Sequence, residues 1–323
     1  MSTNPTARPS FLTAVKNWFG APATAPTGPD SERIDWSRAI PYIGIHLVPL
    51  GVIWVGWSWP AVVMAFVLYV VRVFALTGFY HRYFSHRSFK VGRITQFVFG
   101  WIGCTAVQKG PLWWAAHHRH HHAHSDDEQD IHSPRHKGFW FAQVGWFLTP
   151  RATPTNYRMV SDFAKFPEIR WLDKYDLVPP AILIAMVYVL GLVFAHQWPE
   201  LGCTGLQMVV WFFVSTVFCY HVTYLVNTAT HLIGTRRYKT KDDSKNSLII
   251  ALLTFGEGWH NNHHYYPNST RQGFFWWEID FSYYCILLLK AFGLAWDIRG
   301  VPHRIQFPQP KQVPMEVKPA TQS

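Results

Sequence analysis

Four long apolar segments alternate with polar stretches along the chain, and each is long enough to cross a membrane as a helix. They cover residues 40–58, 61–80, 178–197 and 207–226, and about 20 apolar residues span the hydrocarbon core of a bilayer. Short turns between the first and second segments, and between the third and fourth, predict two hairpins. The pattern predicts an all-α membrane protein with four transmembrane helices.

Three shorter apolar stretches, residues 96–107, 247–256 and 281–295, fall short of that length. They are predicted to form interfacial or partly buried helices. Composition supports contact with lipid, because 49% of the residues are hydrophobic and 15% are charged, against about 25% charged in soluble proteins. The four cysteines show no paired spacing, which argues against a disulfide framework or a Cys-type zinc site.

The two ends of the chain differ in composition from the middle. Residues 1–39 and 304–323 are rich in Pro, Ala and polar residues, which predicts mobile segments. A short amphipathic helix is expected within the first of them, at residues 11–19. The membrane domain then covers residues 40–303. The start of the chain, "MSTNPTARPS", lacks the pattern of a cleaved signal peptide.

Lysine and arginine are absent from the two hairpin turns and concentrate between the second and third apolar segments. Because positive residues accumulate on the cytoplasmic side of short loops, the termini and the long loop are predicted to be cytoplasmic. A basic face beside anionic lipid accounts for the net charge of +10. No nucleic-acid partner is therefore expected.

The histidines are grouped in four short stretches, all on the predicted cytoplasmic side: "HRYFSH" from residue 81, "HHRHHH" from residue 117, "NTATH" from residue 227 and "HNNHH" from residue 260. Residues at positions i, i+3 and i+4 share one face of a helix. Two sets have that spacing, and two further pairs, His81 with His86 and Asn227 with His231, lie five and four positions apart. The two spaced sets are His118, His121 and His122, and His260, His263 and His264.

Nine histidines and one amide are too many ligands for a single tetrahedral zinc, which takes four. Two metal ions fit the inventory better, and imidazole suits Zn, Cu, Fe and Ni. Nearby acids are expected to orient the rings by accepting from their outer nitrogens. These acids are Asp126, Asp127, Glu128, Asp130 and Glu257.

Each cluster taken alone has a simpler explanation, since His81 and His86 beside two arginines would more often be interfacial cations. The co-occurrence of four clusters on one membrane side argues for ligands. Other histidines are interpreted otherwise. His117, His120 and His124 are surface or orienting groups, His46, His196 and His221 are hydrogen-bonded residues of the bundle, and His132, His136 and His303 are solvated.

Arg72 lies inside the second apolar segment, where a charge is costly and is expected to be paired. We predict that it pairs with an acidic or carbonyl group within the bundle.

At the histidine stretches the chain resembles the integral-membrane fatty acyl desaturases of the Δ9 stearoyl-CoA type. The resemblance extends over about residues 40–303. The portion "NSTRQGFFWWEID" is bacterial in style, and His120 stands where many relatives carry a residue that is not a ligand. The matching stretches are "HRYFSH", "HRHHH", "NTATHLIG", "GEGWHNNHH", "GFWFAQVGW" and "FGLAWDIRG".

The resemblance implies a four-span helical protein in a bacterial plasma membrane, with a cytoplasmic helical cap around a di-iron centre. Such enzymes reduce O2 and remove two hydrogens from adjacent methylenes, with electrons from a separate carrier such as a ferredoxin or a cytochrome b5-like protein and its reductase. No catalytic side chain is expected beyond the metal centre. The implied iron ligands are His81, His86, His118, His121, His122, His231, His260, His263 and His264, with Asn227 acting through water.

The expected substrate is a saturated acyl chain of about 16 to 18 carbons, carried by CoA or by a glycerolipid, and the expected product has a cis Δ9 double bond. An unactivated C–H bond offers no handle for acid–base chemistry, which itself points to a metal cofactor. Channel-lining candidates are Thr77, Gly78, Trp113, Trp114 and Trp259, and head-group candidates are Arg119, Arg135 and Lys137, because phosphates favour such cations.

Two other functions use the same histidines. A related membrane hydroxylase would yield a hydroxylated lipid without a new double bond. A metal transporter or sensor would be expected to place ligands near the bilayer midplane, whereas these clusters lie at one face. The CoA thioester is favoured over the glycerolipid as the acyl carrier.

Overall fold

The computed structural model describes residues 27–308, so the helix predicted at residues 11–19 lies outside the described part of the chain. Within it, four helical segments are long and apolar enough to cross a membrane, which confirms the prediction from the apolar pattern. Three of these helical segments extend past one or both ends of the apolar segments predicted from the sequence. These spans are Asp30–Val55, Trp59–Ser85, Val178–Gln197 and Gly205–Leu232.

The α-helices and the two short strands follow the chain in this order: α1 (Trp36–Leu47), α2 (Val52–Val55), α3 (Trp59–Phe74), β1 (Lys90–Val91), α4 (Arg93–Cys104), α5 (Pro111–His124), α6 (Pro134–Lys137), α7 (Ser161–Ala164), α8 (Pro167–Lys174), α9 (Val178–Gln197), α10 (Gly205–Leu232), α11 (Leu248–Leu253), α12 (His260–Tyr265), α13 (Phe281–Ala291), β2 (Ala295–Trp296) and α14 (His303–Gln306). Strands β1 and β2 pair in antiparallel fashion. Two π-helical segments (Ala75–Ser85 and Phe141–Gly145) and five 3₁₀ turns (Pro29–Glu32, Val48–Gly51, Trp146–Leu148, Pro150–Ala152 and Pro199–Leu201) complete the described helices.

Helix α10 is the central element of the bundle, because it packs against both α3 and α9. The contact with α9 is close at a pair of glycines. A Cβ atom on Gly191 would lie 2.6 Å from the Cα atom of Gly205. Small residues allow this kind of backbone approach between membrane helices.

The second span changes its winding as it enters the cap. Helix α3 continues directly into the π-helical segment Ala75–Ser85, every residue of which is buried. The amide of His86 donates to the carbonyl of His81 at 3.2 Å, the i→i+5 bond that defines this wider helix. The segment provides the slack that the five-residue spacing of His81 and His86 requires, and it delivers both rings to the same side.

The three shorter apolar stretches become helices α4, α11 and α13, and none of them is a candidate span. Together with α5, α8 and α12 they form a cap over one end of the spans. Its apolar core lies between the π-helical segment and helices α4, α5 and α8. Members of this core include Tyr80, Phe84, Leu112, Ile169 and Leu172.

Arg72 is fully buried in α3 and makes four hydrogen bonds. Its guanidinium donates to Ser215 Oγ and Thr216 Oγ1 on α10, both at 2.7 Å. It also donates to the carbonyls of Leu68 (3.0 Å) and Thr105 (3.4 Å). The predicted partner is therefore a carbonyl rather than an acid, and two hydroxyls supply the remaining acceptors.

Candidate metal centre

Five histidines from three parts of the chain form the first group of ring nitrogens. They are His81, His86, His118, His122 and His263, and their ligand atoms lie within 4.8 Å of one another. The Nε2 atom of His263 is 3.0 Å from that of His81 and 2.9 Å from that of His122. The Nε2 atoms of His86 and His118 are 2.8 Å apart. All five rings therefore turn the same nitrogen towards a common space.

The second group consists of His121, His231, His260 and His264, again with ligand atoms within 4.8 Å of one another. The Nε2 atoms of His231 and His260 are 3.0 Å apart. The two groups are neighbours, because the rings of His122 and His264 stack with centroids 4.5 Å apart. All nine histidines singled out by spacing thus lie in one of two adjacent groups.

Carboxylates accept from the outer nitrogens of four of these rings. Glu257 pairs with Nδ1 of His81. Asp130 lies 3.0 Å from Nδ1 of His121, Asp126 lies 2.7 Å from Nδ1 of His231, and Asp242 lies 2.7 Å from Nδ1 of His264. A carboxylate on Nδ1 fixes the tautomer that leaves the Nε2 lone pair free for a metal.

Three of the five acids expected in this role occupy it, namely Asp126, Asp130 and Glu257. Asp127 instead pairs with the exposed His124, and Glu128 makes no described contact with the groups. Asp242 was missed by the sequence analysis. It lies in a polar loop, "KTKDDSK", without periodicity or a neighbouring histidine, so no signal in the sequence distinguished it.

The charge states suit neutral nitrogen ligands. Burial, aided by repulsion from neighbouring imidazoles, holds the pKa values of His118, His122, His260 and His263 well below their ordinary value. Burial alone would raise the pKa of Asp242, but the hydrogen bond and charge of His264 and two bonds from Ser244 bring it below its ordinary value. Burial also lowers the pKa of His264 to about 4, so this ring is a neutral imidazole beside an ionised carboxylate.

The donor set fits a pair of divalent cations. Nε2 of His121 and His264, and Nδ1 of His260 and His263, are buried and have no hydrogen-bond partner among the described residues. Neutral imidazole carries one donor and one acceptor nitrogen, so acceptor nitrogens facing each other at about 3 Å repel unless a cation or proton lies between them. Imidazole-rich sites of this kind bind transition metals.

A third group of possible ligands, His121, Asp130 and His132, does not converge in the same way. The ring of His132 stacks on that of His121 at 4.5 Å with a 29° tilt, so the in-plane lone pairs of the two rings do not meet. Asp130 already accepts from Nδ1 of His121. His132 is buried rather than solvated, contrary to the prediction from its position in the sequence.

A mostly aromatic cavity adjoins the first group. Its walls come from α1, α5, α10 and the segment between α4 and α5, and His118 and Asn227 both line it. Its aromatic lining includes Trp113, Trp114, Trp146, Phe147, Tyr220 and Tyr224. Gln108 donates to Thr223 Oγ1 at 2.8 Å across one part of the wall. The cavity therefore connects apolar surface in the spans with a metal-ligand candidate.

Of the predicted channel-lining residues, Trp113 and Trp114 line this cavity. Thr77 bonds Ser282 Oγ instead, Gly78 packs on Phe74, and Trp259 donates to the carbonyl of Ile279. These three lie outside the cavity lining.

The head-group candidates also lie away from it. Arg119 forms a bidentate salt bridge with Asp162, with both N–O distances 2.9 Å, and donates to three backbone carbonyls. Arg135 pairs with Asp243, and Lys137 with Glu32. A substrate role for these residues stays a prediction.

Of the histidines that flank the ligand set, His117 bonds the carbonyl of Trp113 at 2.9 Å and lines the cavity. His120 and His124 pack against each other with ring centroids 4.7 Å apart. Neither belongs to a group of metal-ligand candidates in the described part of the chain.

The fold and the site together define a helical membrane protein whose cap carries two adjacent histidine groups suited to metal ions. Comparison with known proteins gives the family. The profile of the fatty acid desaturases matches residues 57–284, so the chain belongs to the fatty acid desaturase family, and it is an oxidoreductase that acts on fatty acyl chains.

Characterised relatives are similar over most of their length. An sn-1 stearoyl-lipid 9-desaturase of Synechocystis is 38% identical over 83% of this chain and 81% of its own. An sn-1 stearoyl-lipid 9-desaturase of Anabaena variabilis is 36% identical over 83% and 94%. An acyl-CoA 5-desaturase of Anemone leveillei is 36% identical over 87% of both chains.

Proposed function

We propose that the nine histidines hold two iron ions and that Asn227 contributes through a water molecule. With O2 as the oxidant, the enzyme introduces a cis double bond at the Δ9 position of saturated chains of about 16 to 18 carbons. The observation that carries this proposal is the convergence of the ring nitrogens beside an aromatic cavity to which His118 and Asn227 both contribute.

Iron held by these histidines would activate O2 towards an unactivated C–H bond, while the protein supplies positioning. The chain's own residues perform the rest. The aromatic wall around Trp113, Trp114 and Tyr220 excludes water and holds an acyl chain beside His118. Asp126, Asp130, Asp242 and Glu257 keep the proton of each partner ring on Nδ1, which orients the ring.

For the acyl carrier we propose the CoA thioester, since an acyl-CoA 5-desaturase is similar to this chain over 87% of its length. The glycerolipid ester is a second candidate, favoured by the sn-1 stearoyl-lipid 9-desaturases among the relatives.

The proposed orientation places the cap and both termini in the bacterial cytoplasm. The distribution of lysine and arginine supports it, because thirteen of them lie between the second and third apolar segments and none in the two hairpin turns. Electrons come from a separate carrier, a ferredoxin or a cytochrome b5-like protein with its reductase.

The test is expression in a host that lacks its own desaturase, followed by mass-spectrometric location of any new double bond. Pulse labelling, with product measured separately in the acyl-CoA and phospholipid fractions, distinguishes the two carriers. Purified protein is assayed for iron in parallel. The expected result is two irons per chain and an O2-dependent Δ9 product that appears first in the acyl-CoA pool.

Three other outcomes would contradict parts of the proposal. First labelling of phospholipid would replace CoA by glycerolipid as the carrier. Hydroxylated lipid without a new double bond would make the enzyme a hydroxylase. Bound metal without any O2-dependent lipid product would favour a metal transporter or sensor.

A further inference from the structure

A second cavity opens on the outer surface of the cap, away from the aromatic cavity described above. It lies between the end of the second span, strand β1, the start of α4, helix α7 with the two residues that follow it, and strand β2. Five basic residues and one acid line it, and its lining shares no residue with the first cavity. The basic residues are Arg87, Lys90, Arg93, Lys165 and Arg299, and we call this cavity the basic groove.

The floor of the basic groove is aromatic. Tyr83 packs against Phe89 and Phe163 with ring centroids 5.4 and 5.1 Å away. These three residues are almost fully buried, whereas Trp296 at the edge is 43% exposed. An apolar floor inside a charged rim is the usual anatomy of a protein–protein interface.

The basic side chains point outwards rather than to one place. Arg87, Lys90 and Arg93 are each about two-thirds exposed, and each is paired with a different carboxylate, that of Asp162, Asp297 and Glu168 respectively. Lys165 and Arg299 have no acidic partner among the described residues. A site for a small phosphate would gather its cations around one point, so this arrangement fits an extended acidic surface better.

Two arginines in or beside the basic groove are chain neighbours of histidines in the first group. Arg87 directly follows His86 in the sequence. Arg119, which directly follows His118, makes a two-pronged bond to Asp162 in the groove at 2.9 Å. Arg119 also donates to the carbonyls of Phe84 and Ser85. A partner seated in the groove is therefore close to the metal-ligand candidates.

We propose that the basic groove is the docking surface for the acidic electron-transfer protein that reduces this enzyme. The proposal rests on the proposed function, which requires such a carrier. Each turnover consumes one O2, two protons and two electrons, forms two waters, and converts two adjacent methylenes into a double bond. Two one-electron carriers therefore dock and leave oxidised in each cycle, and positive potential around the groove increases their rate of encounter.

The test reverses charge at the two cations that have no acidic partner. Lys165→Glu/Arg299→Glu is compared with Lys290→Glu/Arg304→Glu, which reverses two exposed cations that line neither the basic groove nor the aromatic cavity. The probe is a reduced plant-type [2Fe–2S] ferredoxin, which is acidic, and its second-order oxidation by the iron-loaded enzyme is followed at several ionic strengths. Binding of the oxidised ferredoxin to metal-free protein in nanodiscs is measured as well.

We expect the groove variant to lower the rate constant by about tenfold or more at low salt and to weaken binding to the metal-free protein. Its salt dependence should also become shallower than that of the wild type. The control variant should stay within about twofold. A single turnover of enzyme reduced chemically with dithionite should give the same amount of product in all three proteins.

Several results would overturn the docking proposal. These are an equal loss in the control variant, an unchanged groove variant, a wild-type rate that does not depend on salt, or no oxidation of the ferredoxin by the wild type. Loss of the dithionite-driven turnover in the groove variant would do the same, because Lys165 and Arg299 would then act on the fold or the chemistry. A wild type that gives no product even with dithionite would instead contradict the proposed function, and binding to the metal-free protein would still decide the docking proposal.

Discussion

The Nδ1 atom of His264 lies 2.7 Å from a carboxylate oxygen of Asp242, across 22 positions of sequence. Asp242 is itself held by the amide and the hydroxyl of Ser244. The loop between α10 and α11 therefore controls the direction in which one ring of the second group faces.

Replacing this acid should weaken metal binding without removing a ligand. We expect Asp242→Asn to lower metal affinity by about 10- to 100-fold, because the amide no longer favours the proton on Nδ1 of His264. Iron titration of the metal-free protein measures the change. Asp243→Asn is the control, since that carboxylate pairs with Arg135 at the surface. Equal affinities for the two variants would show that Asp242 does not orient His264.

His263 holds a central place in the first group, with Nε2 close to both His81 and His122. His263→Ala should reduce the iron content and abolish the desaturated product, while membrane insertion stays intact. His124→Ala should change neither, because its ring is partly exposed and pairs with Asp127 outside both groups. Iron analysis and product analysis on the same preparations provide the test. Retained turnover in the His263 variant would remove it from the ligand set.

The buried imidazoles should make the metal-free protein sensitive to mild acid. Burial lowers the pKa of His132 to about 3 and that of His117 to about 4, whereas a histidine in the unfolded chain titrates near about 6.5. Between these values the unfolded state binds more protons than the folded state. The stabilising contribution is therefore complete above about pH 6.5 and is lost as the pH falls through that window.

Thermal unfolding of the metal-free protein in detergent, followed from pH 7.5 to pH 4.5, measures this effect. His132→Phe should weaken the dependence of the unfolding temperature on pH, because the variant keeps a ring against Trp146 but binds no proton there. A curve as steep as that of the wild type would mean that His132 does not contribute to the acid sensitivity.

The close contact between α9 and α10 leaves no room for a side chain at Gly191. Gly191→Ala should destabilise the protein by about 1–3 kcal/mol, because the new methyl group meets the backbone of Gly205. Gly44→Ala in α1 is the control, since nothing lies within 4 Å of the added Cβ atom. Chemical or thermal unfolding in detergent compares the two. Equal stabilities would mean that the helices separate at little cost.

Arg72 ties the second span to the fourth through two hydroxyls. Arg72→Leu should lower the free energy of unfolding by about 1–3 kcal/mol, because the buried acceptors lose their donor. The stability of Arg72→Lys should lie between that of Arg72→Leu and that of the wild type. Arg33→Leu, at an exposed ion pair with Asp30, should have little effect. Unchanged unfolding and unchanged turnover in Arg72→Leu would contradict a structural role.

The four spans and the histidine sets that share a helix face could be predicted from the sequence, because both depend on local periodicity. His118, His121 and His122 share a helix, as do His260, His263 and His264. The π-helical winding of residues 75–85 could not be predicted in the same way. It is stabilised by packing against α4 and α5 rather than by any residue pattern within the segment.

The residues that escaped prediction depend on contacts between distant parts of the chain. Asp242 reaches His264 only because its loop folds over α12. His132 is buried because its ring is stacked between His121 and Trp146. Neither contact follows from local spacing, so a single sequence carries no signal for it.

The carboxylates on the outer nitrogens also affect the local charge at the proposed metal centre. Two divalent ions bring four positive charges, and neutral imidazoles cancel none of them. Four negative charges lie on the far side of the histidine rings from the proposed ions, on Asp126, Asp130, Asp242 and Glu257. A pair of divalent ions would thus have carboxylates one imidazole ring away, of which Glu257 also pairs with Arg82, while every proposed contact to the ions stays an uncharged nitrogen.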